Sequence, residues 1–147
     1  MQNMIKMKKI LCILFICIST ISFSQSIVGK WKSIDETTSK DESIIEIYQE
    51  NGKFYGKITA ILDPNAKDVI CENCTGNNKN KPIEGMVIIK GLKKDGKEWS
   101  GGKVLDPKNG KEYKCNISLE DNNTMKLRGF IGFSVFGRTA YWYRVHN

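Results

Sequence analysis

The residues of this sequence whose types and spacing are suited to chemistry are two cysteines, Cys71 and Cys74. A Cys-x-x-Cys pair can form a local disulfide, act in thiol-disulfide exchange, or supply half of a zinc site. Exchange catalysts usually place the first cysteine at the start of a helix, whereas the residues flanking this pair have the composition of a loop. We therefore predict a local disulfide between Cys71 and Cys74, with a thiol-disulfide protein as the alternative.

Cys115 and His146 are the further ligands that a zinc site at this pair would need, because structural zinc takes four ligands. Cys115 lies in a stretch where every second residue is apolar, so it is predicted to face the inside of a sheet. We predict that Cys115 is a buried free thiol and that the protein holds no metal and no cofactor. A disulfide from Cys115 to one of the loop cysteines remains as another alternative.

The sequence assembles no catalytic set. His146 is the only histidine, and no Ser-His-Asp or Cys-His arrangement can be built around it. Adjacent carboxylates at 35–36 and 41–42 lie in a polar loop, residues 35–43, where solvation is their expected role. We therefore expect a protein that is not an enzyme.

The first 24 residues have the composition of a secretory signal peptide. Three lysines among the first nine residues precede an apolar stretch, residues 10–23, that is shorter than the roughly 20 residues of a membrane-spanning helix. We predict cleavage before Gln25, export to the periplasm or the cell exterior, and a soluble single domain of residues 25–147. The monomer or a weak dimer is the expected assembly.

The charge of this domain argues against nucleic-acid binding. Without the three lysines of the signal it has 23 − 3 = 20 basic against 16 acidic residues, and its lysines form no run longer than two. Arginine is rare, since only Arg128, Arg138 and Arg144 are present. Our hypothesis is that these three occupy positions that need a planar guanidinium and cannot accept lysine.

The hydrophobic pattern predicts about eight strands and no helix after the signal. Residues 82–115 give three of them, joined by turns at Asp95-Gly96 and Asn109-Gly110, with a β-bulge at Gly101-Gly102. The predicted strands cover residues 27–31, 44–50, 53–62, 86–90, 99–105, 111–120, 124–132 and 138–145. Short connections favour antiparallel neighbours, so the fold class is an all-β, up-and-down, eight-stranded barrel.

Gly29-Lys30-Trp31 resembles the Gly-x-Trp signature of lipocalin-type barrels. In that family an arginine of the last strand lies over the tryptophan and closes one end of the barrel. The resemblance therefore implies barrel closure by Gly29, Trp31 and Arg144, with Arg138 as a second candidate for the arginine.

Further segments of the chain extend this pattern: Phe54-Tyr55-Gly56-Lys57-Ile58, Cys71-x-x-Cys74, Gly91-Leu92-Lys93, Trp99-x-Gly101-Gly102, Asp106-Pro107, Gly110-Lys111-x-Tyr113, Arg128-Gly129-Phe130-Ile131-Gly132, Gly137-Arg138 and Trp142-x-Arg144. Together with Gly29-x-Trp31, this layout resembles an exported bacterial family catalogued as domain of unknown function 2147. The resemblance implies a lipocalin-like barrel outside the cytoplasm and implies no activity.

Aromatic residues on the predicted strands could line a ligand site inside the barrel. We expect a lumen that binds a flat or hydrophobic ligand, with an arginine available for an anionic group; the candidates are Tyr55, Trp99, Tyr113, Tyr141 and Arg128. Core packing is the other role open to these side chains. The sequence does not distinguish a filled interior from a cavity.

These observations predict a non-enzymatic barrel in the cell envelope that binds a small hydrophobic or amphiphilic molecule. The alternative is a barrel with a filled interior that acts through its loops, residues 35–43, 63–82 and 133–137. In the last of these, Phe133, Val135 and Phe136 would suit contact with a membrane surface or a partner protein.

Overall fold

Eight antiparallel strands, each paired with the next and the last with the first, close into a barrel in the computed structural model, which describes residues 25–146. The strands are β1 (Gly29–Ile34), β2 (Asp41–Glu50), β3 (Lys53–Ile61), β4 (Val87–Asp95), β5 (Glu98–Asp106), β6 (Lys111–Leu119), β7 (Thr124–Phe130) and β8 (Gly137–Arg144). The predicted all-β, up-and-down barrel of eight strands is confirmed. The predicted signal, residues 1–24, lies outside the described residues.

The turns and the bulge follow local sequence signals. Asn51 and Gly52 join β2 to β3 with φ of 50° and 75°, the left-handed values that Asn-Gly tolerates. The register of β5 against β6 shifts between Trp99 and Gly102, where Gly101 has a φ of 75°. The predicted bulge is therefore confirmed.

The predicted end of the seventh strand is wrong. Its ladder with β8 stops at the pair Phe130↔Gly137, and the chain then leaves the sheet. Ile131, which the prediction included in this strand, is 68% exposed as a result. The first strand begins two residues later than predicted, at Gly29 instead of Ile27. Ile27 is nevertheless buried.

The two ends of the barrel differ in their connections. One end, here called the closed end, carries the entering segment 25–28 and the turns at 51–52, 96–97 and 120–123. The other end, here called the mouth, carries the loops 35–40, 62–86, 107–110 and 131–136.

In the part of the chain from 25 to 146, no helix is long and apolar enough to span a bilayer.

The inward side chains change in size along the barrel. Large ones fill the half next to the closed end: Trp31, Phe54, Trp99, Met125 and Trp142, all buried. Nearer the mouth, four neighbouring strands carry small inward residues, Ser33, Ser43, Gly129 and Ala140, whereas the opposite side carries Val104 and Tyr113. The hydroxyls of Ser33 and Ser43 are hydrogen bonded to each other at 2.7 Å, which satisfies two buried polar groups. The small residues near the mouth are therefore grouped on one side of the barrel.

The long connection between β3 and β4 folds back onto the barrel. It contains two single 3-10 turns, Pro64–Ala66 and Gly76–Asn78, and its two halves meet in an isolated bridge between Ile70 and Pro82. Leu105 points away from the interior, since its neighbour Val104 points inward, yet it is only 4% exposed. This loop accordingly covers part of the outer wall.

Candidate functional site

The closed end is organised around Trp31. This side chain is fully buried, and its Nε1 donates a hydrogen bond to the carbonyl oxygen of Ile27 at 2.8 Å. The guanidinium carbon of Arg144 lies 4.1 Å from the centre of the Trp31 ring, a cation–π geometry. Tryptophan and arginine face each other because β1 and β8 pair at these two positions.

Arg144 also binds three backbone carbonyl oxygens, two from the entering segment 25–28 and one from the turn 120–123. Its Nε donates to Asn122 at 2.6 Å, its Nη1 to Val28 at 3.1 Å and its Nη2 to Ser26 at 2.8 Å. A Cβ on Gly29 would lie 3.1 Å from Nη1, so glycine leaves room for the guanidinium. Burial lowers the pKa of Arg144, although arginine remains charged in proteins.

Cys71 and Cys74 form a disulfide. Both residues are buried, at 0% and 2% exposure, and Cys71 Sγ lies 3.3 Å from the carbonyl oxygen of Pro107. Neither cysteine opens a helix of eight or more residues, and neither sulfur is presented to solvent. The arrangement holds the long loop against the turn between β5 and β6. Thiol exchange at this pair would need the loop to move first.

Cys115 is a buried free thiol whose pKa is raised to about 12 by burial. Because the thiolate is the reactive form, we expect the folded chain 25–147 not to react with an aromatic disulfide reagent at pH 8. One thiol per chain should react once the protein is unfolded in guanidinium. Stoichiometric reaction of the native protein within minutes would contradict this.

A charged bridge crosses the mouth. The Lys108 ammonium, in the turn between β5 and β6, contacts Asp35 at 2.8 Å and Glu42 at 2.7 Å, both from the β1–β2 hairpin. These two hairpins lie on opposite sides of an eight-stranded barrel. Burial alone would lower the pKa of Lys108, but its hydrogen bonds to the two carboxylates raise it overall. We call these three residues the mouth bridge.

The mouth bridge should withstand mild acid. Hydrogen bonds from Lys108, and then from Thr38, hold the pKa of Asp35 well below its usual range. A carboxyl with a lowered folded pKa stabilises the fold above its unfolded pKa, about 3.9, and loses that effect only as the pH falls toward the folded value. The difference in melting temperature between the wild type and Asp35→Asn should therefore stay constant from about pH 8 to pH 5 and shrink below about pH 4. A smaller difference in melting temperature already near pH 6 would contradict this. Asp68→Asn, in the exposed long loop, is the control variant.

Three of the five predicted ligand-binding residues lie on the outer wall, which corrects the prediction that they line a lumen. Tyr55 stacks on Tyr48 of the neighbouring strand, with ring centroids 5.7 Å apart. Arg128 donates to the carbonyls of residues 134 and 135 and to the hydroxyl of Thr139. Tyr141 is 45% exposed. Each of the three alternates with an inward neighbour, so strand geometry turns it away from the interior.

The other two face inward at opposite ends of the barrel. Trp99 is 2% exposed in the closed half, edge-on to Phe54, with the Lys94 ammonium 4.2 Å from its ring. Tyr113 is half-buried near the mouth, and its hydroxyl is hydrogen bonded to Asn109 at 3.0 Å. The structure therefore does not bring the five residues together.

Sequence reasoning missed the residues that gather at the mouth. Lys108 and Asp35 are separated by 73 positions, and the local sequence around each one predicts a solvated turn residue. Arg138 points toward the mouth, because it pairs with the inward Gly129, and its Nε lies 3.8 Å from Glu36. Within residues 25–146, no three His, Cys, Asp or Glu side chains are grouped as metal ligands.

Comparison with known proteins agrees with this architecture. The profile of a bacterial family described as "Uncharacterized protein conserved in bacteria (DUF2147)" matches residues 29–144. Among solved structures, protein HP1028 from Helicobacter pylori, described as belonging to the lipocalin family, is similar with a TM-score of 0.74. It is 21% identical, and the match covers 84% of this chain and 86% of that chain, a likeness that shows the fold. No curated protein sequence matches the chain.

Proposed function

The chain belongs to the bacterial family DUF2147, and from its lipocalin-like barrel and the small side chains near its mouth we propose a non-enzymatic protein that binds a small hydrophobic or amphiphilic molecule. The observation that carries this proposal is the group of small inward side chains near the mouth on four neighbouring strands, β7, β8, β1 and β2: Gly129, Ala140, Ser33 and Ser43. Small side chains leave space where large ones would fill the barrel.

The chemistry around this space suits an amphiphile. Ala140 and the half-buried Ile61 and Tyr113 offer apolar contact, and all three pack against the buried core. The guanidinium of Arg138 lies at the rim, where it can meet a polar or anionic head group in solvent. The mouth bridge crosses the opening, so an entering molecule has to pass or displace it.

The test compares native with denaturing mass spectra of the protein purified from its own cell envelope. We expect a mass excess in the native spectrum that disappears on denaturation. Ala140→Leu, which fills the mouth, should remove the excess, whereas Lys126→Leu on the outer wall should keep it. A native mass equal to the bare chain under gentle conditions, or an excess that Ala140→Leu leaves unchanged, would overturn the proposal.

We propose that the domain works outside the cytoplasm. The composition of residues 1–24 supports export, as does the disulfide, since such bonds persist in oxidising compartments. The mature chain should begin at Gln25, which N-terminal sequencing of protein from the envelope fraction checks.

A second candidate function, contact with a membrane surface or partner protein, has its own observation. The loop 131–136, here called the apolar loop, exposes four large apolar side chains by 68–78%: Ile131, Phe133, Val135 and Phe136. Arg128 braces its backbone, donating to Ser134 at 2.6 Å and to Val135 at 3.1 Å. A braced loop with protruding apolar side chains is suited to an external apolar surface.

Replacing Phe133 and Phe136 together by serine should change the free energy of unfolding by no more than about 0.5 kcal/mol, because neither side chain is packed. The same variant should lose any sedimentation with vesicles of extracted envelope lipid that the wild type shows. A large fall in melting temperature would show that these rings are packed, contrary to the expectation. Absence of sedimentation by the wild type would remove the membrane form of this candidate.

A further inference from the structure

Three lysines stand side by side on the outer wall of β4, β5 and β6. Lys90 pairs with Lys103, and Lys103 pairs with Lys114, so the three occupy one line across neighbouring strands. Each lies next to an inward residue of its strand, so alternation directs the lysine side chain outward. We call these three residues the lysine row.

The charge pattern of this row differs from that on the other side of the barrel. Lys30, Glu46 and Lys57 also form one line, across β1, β2 and β3, and there the sign of the charge alternates. Like charges directly opposite each other destabilise a pair of strands, whereas opposite charges support it. The lysine row therefore keeps an arrangement that is unfavourable in the free protein and that an anionic partner would make favourable.

One carboxylate lies beside the lysine row and leaves most of its charge in place. Glu112 is 3.6 Å from the ammonium of Lys90 and 3.7 Å from that of Lys103. Both contacts are exposed, and the four side chains together still carry 3 − 1 = +2 charges. Lys114 forms no ion pair with any residue between 25 and 146. The excess of positive charge is therefore greatest at the Lys114 end of the row.

That end of the row meets the apolar loop. Lys114 pairs with Phe130, the last residue of β7, and the apolar loop begins at the next position. Lys114 and Lys103 are one and two strands away from Phe130, which corresponds to roughly 5 and 10 Å. Arg128 adds a positive charge at the base of the loop, where it donates to two of the loop's carbonyl oxygens. Exposed apolar side chains and unneutralised positive charge are thus neighbours on one flank of the barrel.

We propose that the lysine row binds the head groups of anionic lipids while the apolar loop enters the hydrocarbon boundary of the same membrane. Peripheral proteins combine these two contributions, because buried apolar area and attraction of basic side chains to anionic lipid add to each other. This placement turns the β5–β6 flank of the barrel toward the bilayer. The inference deepens the membrane form of the second candidate function and rests on it.

A membrane suits this surface better than a soluble polyanion does. A soluble polyanion would contact the lysines but would leave the rings of Phe133 and Phe136, which are 77% and 75% exposed, in water. A bilayer presents an anionic layer directly above an apolar one. This order matches lysines that stand behind a protruding apolar loop.

Sedimentation of the chain 25–147 with vesicles of defined composition tests the proposal. Vesicles of phosphatidylcholine that contain about a third phosphatidylglycerol should bind the wild type at least about tenfold more tightly than vesicles of phosphatidylcholine alone. Lys103→Gln combined with Lys114→Gln should weaken binding to the anionic vesicles by about thirtyfold, because each lysine near an anionic surface contributes about fivefold. The melting temperature of this variant should stay within about 5 °C of the wild type, since both side chains are exposed.

The line of alternating charge supplies a matched control. Lys30→Gln combined with Lys57→Gln removes the same net charge from a different part of the barrel, and it should weaken binding by less than about threefold. The variant with serine at both Phe133 and Phe136 keeps the lysine row and should nevertheless lose binding to the anionic vesicles.

The outcomes separate this inference from the candidate function on which it rests. Equal binding of the wild type to neutral and anionic vesicles would overturn the lysine row as a lipid site and leave membrane contact by the apolar loop intact. Binding to neither kind of vesicle would overturn both. Equal losses in the two double-lysine variants would show that net charge acts and not the row, which overturns the inference.

A soluble polyanion is the remaining alternative, and inorganic polyphosphate is the probe for it. If the lysine-row variant lost affinity for polyphosphate while the serine variant bound anionic vesicles as tightly as the wild type, the row would serve a soluble polyanion. That result would also overturn the proposal.

Discussion

The Arg144→Lys variant is expected to have a free energy of unfolding about 3 kcal/mol lower than that of the wild type. A lysine ammonium can keep at most part of the three hydrogen bonds to Ser26, Val28 and Asn122, and it loses the planar contact with Trp31. A hydrogen bond from a charged donor contributes about 1.5–3 kcal/mol, discounted here because the site is partly exposed. Thermal unfolding should show a fall of about 10–15 °C.

Arg138→Lys is the matched control for this experiment. Arg138 is an arginine of the same strand, but its only ion pair within residues 25–146 is the exposed contact with Glu36 at 3.8 Å. Its replacement should change the unfolding free energy by less than about 0.5 kcal/mol. Equal effects of the two variants would contradict the assignment of closure to Arg144. The hypothesis that all three arginines need a planar group is supported by the geometry of Arg128 and Arg144, and not by that of Arg138.

The Gly110→Ala variant should be destabilised by about 3–5 kcal/mol, for two separate reasons. Gly110 has a φ of 72°, where a side chain costs about 1–2 kcal/mol. A Cβ at this position would also overlap the backbone carbonyl of Asn73, so the disulfide loop would have to move off the turn. Equilibrium unfolding measures the loss, and reduction of the Cys71–Cys74 disulfide by dithiothreitol should become faster.

Gly96→Ala separates these two causes. Gly96 has a φ of 61°, but a Cβ at this position would have no atom of the described chain within 4 Å, so only the backbone cost of about 1–2 kcal/mol applies. The disulfide should be reduced at the wild-type rate. If both variants lost the same stability and kept the same reduction rate, the loop would not be held against the turn.

The strands could be predicted from the sequence because their signals are local. Alternation placed Cys115 inside, and Asp95-Gly96 and Asn109-Gly110 located two turns, without any knowledge of distant residues. The pairing of Trp31 with Arg144 has no local signal. It entered through the resemblance to lipocalin-type barrels, and the structure places the two side chains in contact.

The candidate ligand residues were misplaced because aromatic type was used without the face that each residue occupies. Tyr55 shares its face with Lys57, and Arg128 shares its face with Lys126, so period-two alternation already directs both outward. The mouth bridge could not be predicted in this way. It depends on where two hairpins distant in sequence meet.

The hydrogen bonds of Arg144 to Ser26 and Val28 also fix the polarity of the domain. They bring the start of the barrel chain and its last strand together at the closed end. A tag, a tether or a fused domain joined at either terminus would therefore sit at the opposite pole from the mouth and the apolar loop. A circular permutant that joins these neighbouring ends would need only a short linker. Immobilising the protein by either terminus leaves the mouth and the apolar loop directed outward.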